Sequence, residues 1–310
     1  MRVLIVARCK SGKYAPFITE QVDALKRAGV ECRYFGIGKN GLSGYFTHLK
    51  GLRRAIVEFQ PDIIHAHYGL SGVFANLQRR VPVVTTYHGS DINESLLLIV
   101  SRWAIRLSAF NIFVSQGNID KARPKAGKYA LIPCGIDLEN YQDIDKDEAR
   151  KCLGWPQEGR FILFSGSFDN HVKNAPLAQA AVNLLEDATL VELKGFSRRQ
   201  VAAAMCAADA FVMTSISEGS PQVVKEALAC GCPVVSVDVG DVKDLTAGVE
   251  GCFIAGRSPE SVADNLRKAL AFNEKISGRD VIINRGLTND RIAARLKGIY
   301  ETVETVKKGI

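Results

Sequence analysis

Short apolar runs alternate with amphipathic or polar stretches along almost the whole chain, and this rhythm constrains the fold more than any other feature. The runs fall at 3–7, 32–35, 63–66, 83–87, 112–115, 130–133, 161–165, 189–193, 210–214, 233–237 and 252–254. Most are largely apolar on both alternating sets of positions, which predicts strands buried on both faces. Helical periodicity fills the intervals: residues 17–28 end at Gly29 as at a C-cap, and further helices are predicted at 259–272 and 291–306. Strands alternating with helices in this order predict α/β architecture with parallel sheets covered on both faces. The rhythm breaks once, in the acidic stretch CGIDLENYQDIDKDEAR at 134–150, which reads as an interdomain linker. A length of 310 residues suits two domains.

Composition narrows the function classes. No apolar run approaches the roughly 18 residues of a membrane span; the longest candidate is 96–100. The opening MRVLIVARCKSGK reads as a first strand, because its apolar core is shorter than a signal peptide requires, and secretion is not expected. Eight cysteines show neither a CxxC pair nor Cys/His metal spacing, so reduced packing cysteines, no bound metal and a cytoplasmic setting are expected. Residues 1–140 carry 19 Lys+Arg against 10 Asp+Glu, whereas residues 141–310 carry 21 against 23. The basic N-terminal half would attract an anionic membrane surface or an anionic substrate. No nucleic-acid-binding motif accompanies that charge.

The chemistry concentrates in TSISEGSPQVVKEALACGCPVVSVDVGD, residues 214–241. A strand ends near Thr214. Ser220 reads as an N-cap, Pro221 as the first helical residue, and Gly231 as the stop after Cys230. The N-terminus of that helix offers unpaired N–H groups and a positive dipole end, which suit a diphosphate. Glu218 lies in the loop and is not the capping-box position, which is Val223. Glu226, eight residues on, reads equally well as an ordinary surface helix residue.

Glu218 and Glu226 within EGSPQVVKEALACGCPVV resemble the E-x7-E signature of the family 4 retaining glycosyltransferases. The resemblance runs through HAHYG (65–69), VVTTYHGSD (83–91), IPCGID (132–137), SGSFDNHVKN (165–174) and CAADAFVMTS (206–215). It implies the GT-B fold, two facing Rossmann-like doubly wound domains around a central cleft. The expected division is 1–140 as the acceptor-side domain, 141–290 as the nucleotide-sugar donor domain, and 291–310 as a helix returning to the N-terminal domain. It further implies that Glu218 contacts donor-sugar hydroxyls, that Glu226 holds the ribose hydroxyls, and that Lys173 neutralises the diphosphate. Backbone amides of Ser220, Gln222 and Val223, flanked by Gly219 and Pro221, would complete the anion site. Lys194, Gly195 and Phe196 would take the base. His88 would reach the transferred sugar as a catalytic residue beside Glu218, and the loop of Ser11, Gly12 and Lys13 would approach the donor. Two departures stand out. Ser167 replaces an arginine that follows Gly166 in the family, and Cys134 stands where Asn is usual.

The activity so implied is transfer of a sugar, with retention, from a UDP- or GDP-sugar to a glycan or lipid-linked acceptor in cell-surface polysaccharide assembly. No cofactor is required, because a nucleoside diphosphate leaves readily once its charge is stabilised. A nucleotide-sugar epimerase of GT-B-like fold and a non-catalytic bilobed sugar-binding protein are the alternatives. Other signals are weaker. GIGKNG at 36–41 imitates a dinucleotide fingerprint but follows the second strand, and Glu58 falls inside a helix, so a flexible loop is expected. Asp143-Ile144-Asp145 imitates a DxD metal motif but reads as a solvated helix start. His65 and His67 are read as pointing to opposite strand faces, unable to share a metal, with His65 in the core and His67 towards the cleft. Tyr45, Phe46, Leu49 and Leu52 with Lys50, Arg53 and Arg54 form a basic amphipathic helix, either a solvated face or a peripheral attachment to anionic lipid at the inner membrane face.

Overall fold

The computed structural model describes residues 1–38, 41–142, 144–272 and 274–308, with the side chains of 41–47 and 307–308 outside the described set. Two compact units divide it: Met1–Gly135 with Asn289–Ile310, and Ile136–Thr288.

In the first unit the order is β1 (Arg2–Arg8), α1 (Pro16–Arg27), β2 (Glu31–Ile37), α2 (Gly41–Phe59), β3 (Ile63–His67), α3 (Gly69–Asn76), β4 (Val83–Tyr87), α4 (Ser90–Asn93), α5 (Ser95–Leu107), β5 (Phe110–Phe113), α6 (Gln116–Ala122) and β6 (Tyr129–Leu131). The second unit continues with α7 (Lys146–Leu153), β7 (Arg160–Phe164), α8 (Ala175–Val182), β8 (Ala188–Glu192), α9 (Arg198–Ala207), β9 (Ala210–Met213), α10 (Gln222–Ala229), β10 (Val234–Val237), α11 (Val242–Thr246), β11 (Phe253–Ala255), α12 (Pro259–Ala271) and α13 (Gly278–Asn284). The last helix, α14 (Asn289–Lys308), belongs to the first unit.

All the expected strand runs form strands. They make one parallel sheet in the order β2-β1-β3-β4-β5-β6 and another in the order β11-β10-β9-β7-β8. Burial explains the apolar runs. Val3, Ile5 and Ala7 pack with Ile18, Val22 and Leu25 of α1 and with Ile292, Leu296 and Tyr300 of α14. Leu4 and Val6 turn the other way, onto Leu52, Ile56 and Phe59 of α2 and Phe74 of α3. Each fully buried aliphatic side chain of this kind contributes about 1.5–3 kcal/mol. The second sheet is covered likewise, with Leu163, Phe211 and Met213 packing beside α9 and α10, and Ile162, Phe164 and Val212 beside α8 and α12.

Several sequence expectations need correction. The units part at 135/136 and 288/289 rather than at 140/141 and 290/291, because Ile136 donates its N–H to the Leu287 carbonyl at 2.9 Å and Gly135 abuts Asn289. The 134–150 stretch is no free linker: it holds a 3-10 turn at Leu138–Asn140, the fully buried Tyr141, and the start of α7, capped by the Asp145 carboxylate. Asp143 lies outside the described residues, so the DxD imitation is described only at Asp145. Gly36 sits in β2, not in a flexible loop. A Cβ there would stand 2.7 Å from the Tyr14 hydroxyl and 2.8 Å from Cys9 Cβ, so close packing explains this glycine. Lys39 and Asn40 of the same motif lie outside the described residues.

Candidate active site

Both sheets reverse their strand order once, and ligands of such sheets bind beyond the strand C-termini at that reversal. In the second unit it lies between β7 and β9, in the first between β1 and β3. The sequence-predicted residues fall into two groups around these points.

After β7 the chain turns through Gly166 to a 3-10 turn at His171–Lys173. Gly166 leaves room for the Lys173 stem, since a Cβ would stand 3.2 Å from Lys173 Cγ. The Thr214 hydroxyl, after β9, donates to the carbonyls of Lys173 and Asn174 at 3.0 and 2.9 Å, and Ile216 N–H donates to Val172 at 2.8 Å. These bonds place the Lys173 ammonium 2.7 Å from Glu218 Oε1, with the two side chains only 20% and 16% exposed. Ser165 and Ser215, at the same strand ends, bury hydroxyls with no hydrogen-bond partner among the described residues. A cation is thus fixed near the reversal point, and two hydroxyls at the same strand ends have no partner among the described residues.

The helix following Glu218 begins one residue later than its sequence signals predict. Pro221 occupies the cap position without a side-chain cap bond, and α10 opens at Gln222. The reason is that the Ser220 hydroxyl is engaged elsewhere: it donates to Asp241 Oδ2 at 2.6 Å and accepts from the wholly buried Lys225 Nζ at 2.8 Å. Lys225 also donates to Gln222 Oε1 at 3.0 Å. Gly240 fits against the loop because a Cβ would stand 2.6 Å from the Gly219 carbonyl oxygen. The Gly219–Val223 turn is thus held by a buried Lys225–Ser220–Asp241 chain that spacing alone did not reveal.

Glu226 is buried rather than a surface residue, and accepts a 2.8 Å hydrogen bond from the Tyr141 hydroxyl. Burial pushes its carboxyl up from the ordinary range. The Tyr141 bond and the charges of Arg198, Lys225 and Lys173 oppose that shift. Lys194 and Gly195 lie exposed in the turn after β8, and Phe196 is half-buried against the core. Lys194 pairs with Asp169 at 2.8 Å, and Asp169 accepts from the Ser167 hydroxyl at 2.6 Å. The position where the family carries arginine therefore holds a neutral donor directed to a carboxylate.

In the first unit, Lys10 and Lys13 exchange backbone hydrogen bonds of 3.0 and 2.9 Å across Ser11 and Gly12, whose φ values are 50° and 78°. Two successive left-handed residues make a tight turn that glycine eases. His88 follows β4. Its Nε2 lies 3.0 Å from His67 Nδ1 and its Nδ1 lies 3.5 Å from the Cys134 sulfur, with Phe17 and Tyr68 against the ring. His65 and His67 share a strand face, contrary to expectation: their rings stack at 4.4 Å, as residues two apart on a strand must. His65 is held between Thr86 and Tyr300 at 2.7 and 2.6 Å. No group of three or more metal-ligating side chains occurs among the described residues.

Asp91 was not singled out from the sequence, yet it shapes this end of the unit. Its buried carboxylate accepts N–H bonds from Gly69, His88 and Gly89 at 2.9–3.0 Å, tying the turns after β3 and β4 together. Burial pushes it up to about 6 against those bonds. A cavity of about 790 Å³ opens beside it, lined by Arg8, Lys10, Lys13, Tyr14 and Tyr68 with α5 residues on the far wall.

Two parallel α/β units, each with polar side chains gathered at its reversal point, define the glycosyltransferase class of GT-B architecture. Residues 3–140 match the family described as Glycosyltransferase Family 4, and residues 159–271 match Glycosyl transferases group 1. The chain belongs to the family 4 glycosyltransferases. It is 28% identical over 241 residues to the putative teichuronic acid biosynthesis glycosyltransferase TuaC of Bacillus subtilis, a match covering 68% of this chain and 62% of that protein, less than two thirds of its length. It is 28% identical to the D-inositol 3-phosphate glycosyltransferase of Actinosynnema mirum, covering 97% of this chain and 87% of that one. Among solved structures, sucrose-phosphate synthase from Thermosynechococcus elongatus superposes with a TM-score of 0.83 at 17% identity, covering 99% and 100% of the two chains. Anabaena HepE in complex with UDP and glucose superposes at 0.73 and 17% identity, covering 97% and 100%.

Proposed function

We propose that this chain transfers a sugar, with retention of anomeric configuration, from a nucleoside diphosphate donor to a glycan or lipid-borne acceptor in the assembly of a cell-surface polysaccharide. The observation that carries the reading is the Lys173–Glu218 ion pair at the β7/β9 reversal, beside α10 and the Tyr141-anchored Glu226. On donor binding, the Lys173 ammonium stabilises the diphosphate as its charge grows on bond cleavage, and the α10 N–H groups add to it. Glu218, relieved of its cation by the phosphates, accepts from sugar hydroxyls. Glu226 accepts from the paired ribose hydroxyls, with Tyr141 fixing its rotamer. Lys194, Gly195 and Phe196 border the base. No metal or cofactor has a place in this scheme. HepE, bound to UDP in its structure, favours UDP as the base-bearing group, and TuaC, a putative glycosyltransferase of teichuronic acid biosynthesis, favours a polysaccharide as the product.

The first test is thermal denaturation with UDP, GDP, ADP and NAD in the absence of metal. Saturation at 100 times Kd adds about 2.7 kcal/mol, so one nucleoside diphosphate should raise Tm by several degrees. A response to NAD alone would overturn the donor assignment. Product analysis without acceptor separates a transferase from an epimerase, which would convert the donor by itself.

His88 is proposed to act on the transferred sugar. His88→Ala should lower kcat by about 10²-fold while leaving the nucleotide-induced Tm shift intact. Equal loss of turnover and nucleotide binding would show that His88 serves the fold only.

A further inference from the structure

The first unit turns a row of large apolar side chains outward. Leu96, Ile99, Trp103 and Leu107 of α5 are 80%, 56%, 57% and 46% exposed, and they recur every three or four residues along one helix face. Arg102 and Arg106 are exposed along one flank of that row, with the Arg106 guanidinium 5.8 Å from the Trp103 ring. The helix contains no acidic residue; Glu94 stands only at its cap. In α2 the pattern is the reverse: Leu52 and Ile56 face the core, Lys50, Arg53 and Arg54 face solvent, and Arg54 is paired with Glu58 at 2.7 Å. Tyr45 and Phe46, the other apolar residues expected on that helix, have side chains outside the described set.

We propose that the α5 face, rather than α2, is a docking surface for an anionic lipid bilayer, lying in the interface plane with Leu96, Ile99, Trp103 and Leu107 among the acyl chains. Charge complementarity selects this occupant. The face sets two arginines and no acidic side chain beside its apolar row, and an anionic bilayer accepts the apolar side chains while meeting the guanidinium groups at the headgroups. Tryptophan suits that boundary, being apolar in body with one polar N–H. The basic surplus of residues 1–140 adds long-range attraction of the same sign. No helix among the described residues is long and apolar enough to cross a membrane, so attachment through α5 is peripheral. The other side of the same helix, through Leu97, Val100 and Ser101, lines the 790 Å³ cavity opposite Arg8, Lys10 and Lys13. A lipid-borne acceptor at the docked surface is then about one helix diameter, ~10 Å, from that cavity. This deepens the reading of a lipid-borne acceptor and rests on it for the cavity's occupant, but the docking itself does not depend on donor chemistry.

The test is sedimentation of the full chain, without donor, with vesicles of phosphatidylcholine alone or with added phosphatidylglycerol. The expected result is binding that requires phosphatidylglycerol, with Leu96→Gln/Ile99→Gln weakening it at least about tenfold and leaving the nucleotide-induced Tm shift unchanged. In a Trp155→Phe background, Trp103 is the one tryptophan, and its emission should shift to the blue on binding. The sedimentation comparison stands even if that background does not fold. Any of four outcomes would overturn the proposal: no binding to either vesicle; equal binding to both; loss of binding on Lys50→Gln/Arg53→Gln/Arg54→Gln but not on the α5 substitutions; or a dimer in solution that the α5 substitutions dissociate while lipid binding is absent.

Discussion

Lys173→Ala should lower kcat/KM by about 10²–10³ while changing the free protein's stability by no more than about 1 kcal/mol. The two magnitudes separate because the ammonium does different work in the two states. In the free protein it neutralises Glu218 at 2.7 Å in a site that water still reaches, both side chains retaining about a fifth of their exposure or less. Replacing Lys173 by Ala opens the space of its long side chain to water, which hydrates the Glu218 carboxylate in place of the ammonium and keeps the loss of stability small. In the proposed reaction the same charge would face a diphosphate that becomes more negative as the glycosidic bond breaks. Lys173→Arg should restore only part of the rate. The Lys173 stem runs against Gly166, where even a Cβ would be tight, and a planar guanidinium needs more room than a point charge. Steady-state kinetics with the nucleotide sugar identified by the thermal panel checks both. If Lys173→Ala stays within threefold of the parent, the phosphates lie elsewhere. Ser167 is then the natural residue to revisit, because the family's usual cation is absent there.

How much of this was legible before the structure follows a physical divide. The strands were legible because burial on both faces makes a parallel strand continuously apolar, and β1 shows the cause directly: its odd residues pack on α1 and α14, its even ones on α2 and α3. Glu218 and Glu226 were legible because their spacing is local, fixed by a turn and a helix. Their environment was not. Tyr141 reaches Glu226 across 85 positions, Ser220 bonds both Lys225 and Asp241, and Asp91 gathers N–H groups from two separate turns. None of these contacts leaves a periodic trace. The Ser220 hydroxyl shows how a sound local signal is overridden: serine before proline reads as a cap, but a buried ammonium and carboxylate compete for the same oxygen. The α5 sequence SLLLIVSRWAIRL reads as a core helix by composition, and only its neighbours decide which of its apolar residues face outward.

Acidification should destabilise the first unit through its paired buried histidines, by about 2 kcal/mol between pH 7 and pH 5 for His67 and in the same direction for His65. Burial pushes His67 down to about 3 and His65 well below its ordinary range, with the neighbouring His67 and His88 rings adding to the shift at His65. In the unfolded chain both imidazoles take up a proton near pH 6.5. The native state thus binds fewer protons than the unfolded state from about pH 6.5 downward, and stability falls as pH falls through that window. For His67 the loss ends only near pH 3. Asp91 acts with the opposite sign. Its carboxyl titrates at about 6 in the fold and at 3.8 outside it, so acidification from pH 7 to pH 5 returns about 1.4 kcal/mol. Glu226 and Asp241, both raised by burial, act in the same direction in the second unit. Comparing urea unfolding at pH 7 and pH 5 between the parent and His65→Gln or His67→Gln removes these carboxylate contributions, which are common to both. Each variant should be less stable than the parent at pH 7, having lost a ring that packs on its neighbour, yet should lose less on acidification, by about 2 kcal/mol for His67→Gln. Parallel pH dependence in parent and variants would mean that the two imidazoles are already hydrated in the native state. The His65–His67–His88 stack would then be wetted at the C-terminal ends of β3 and β4 rather than the dry platform on which the His88 ring is set.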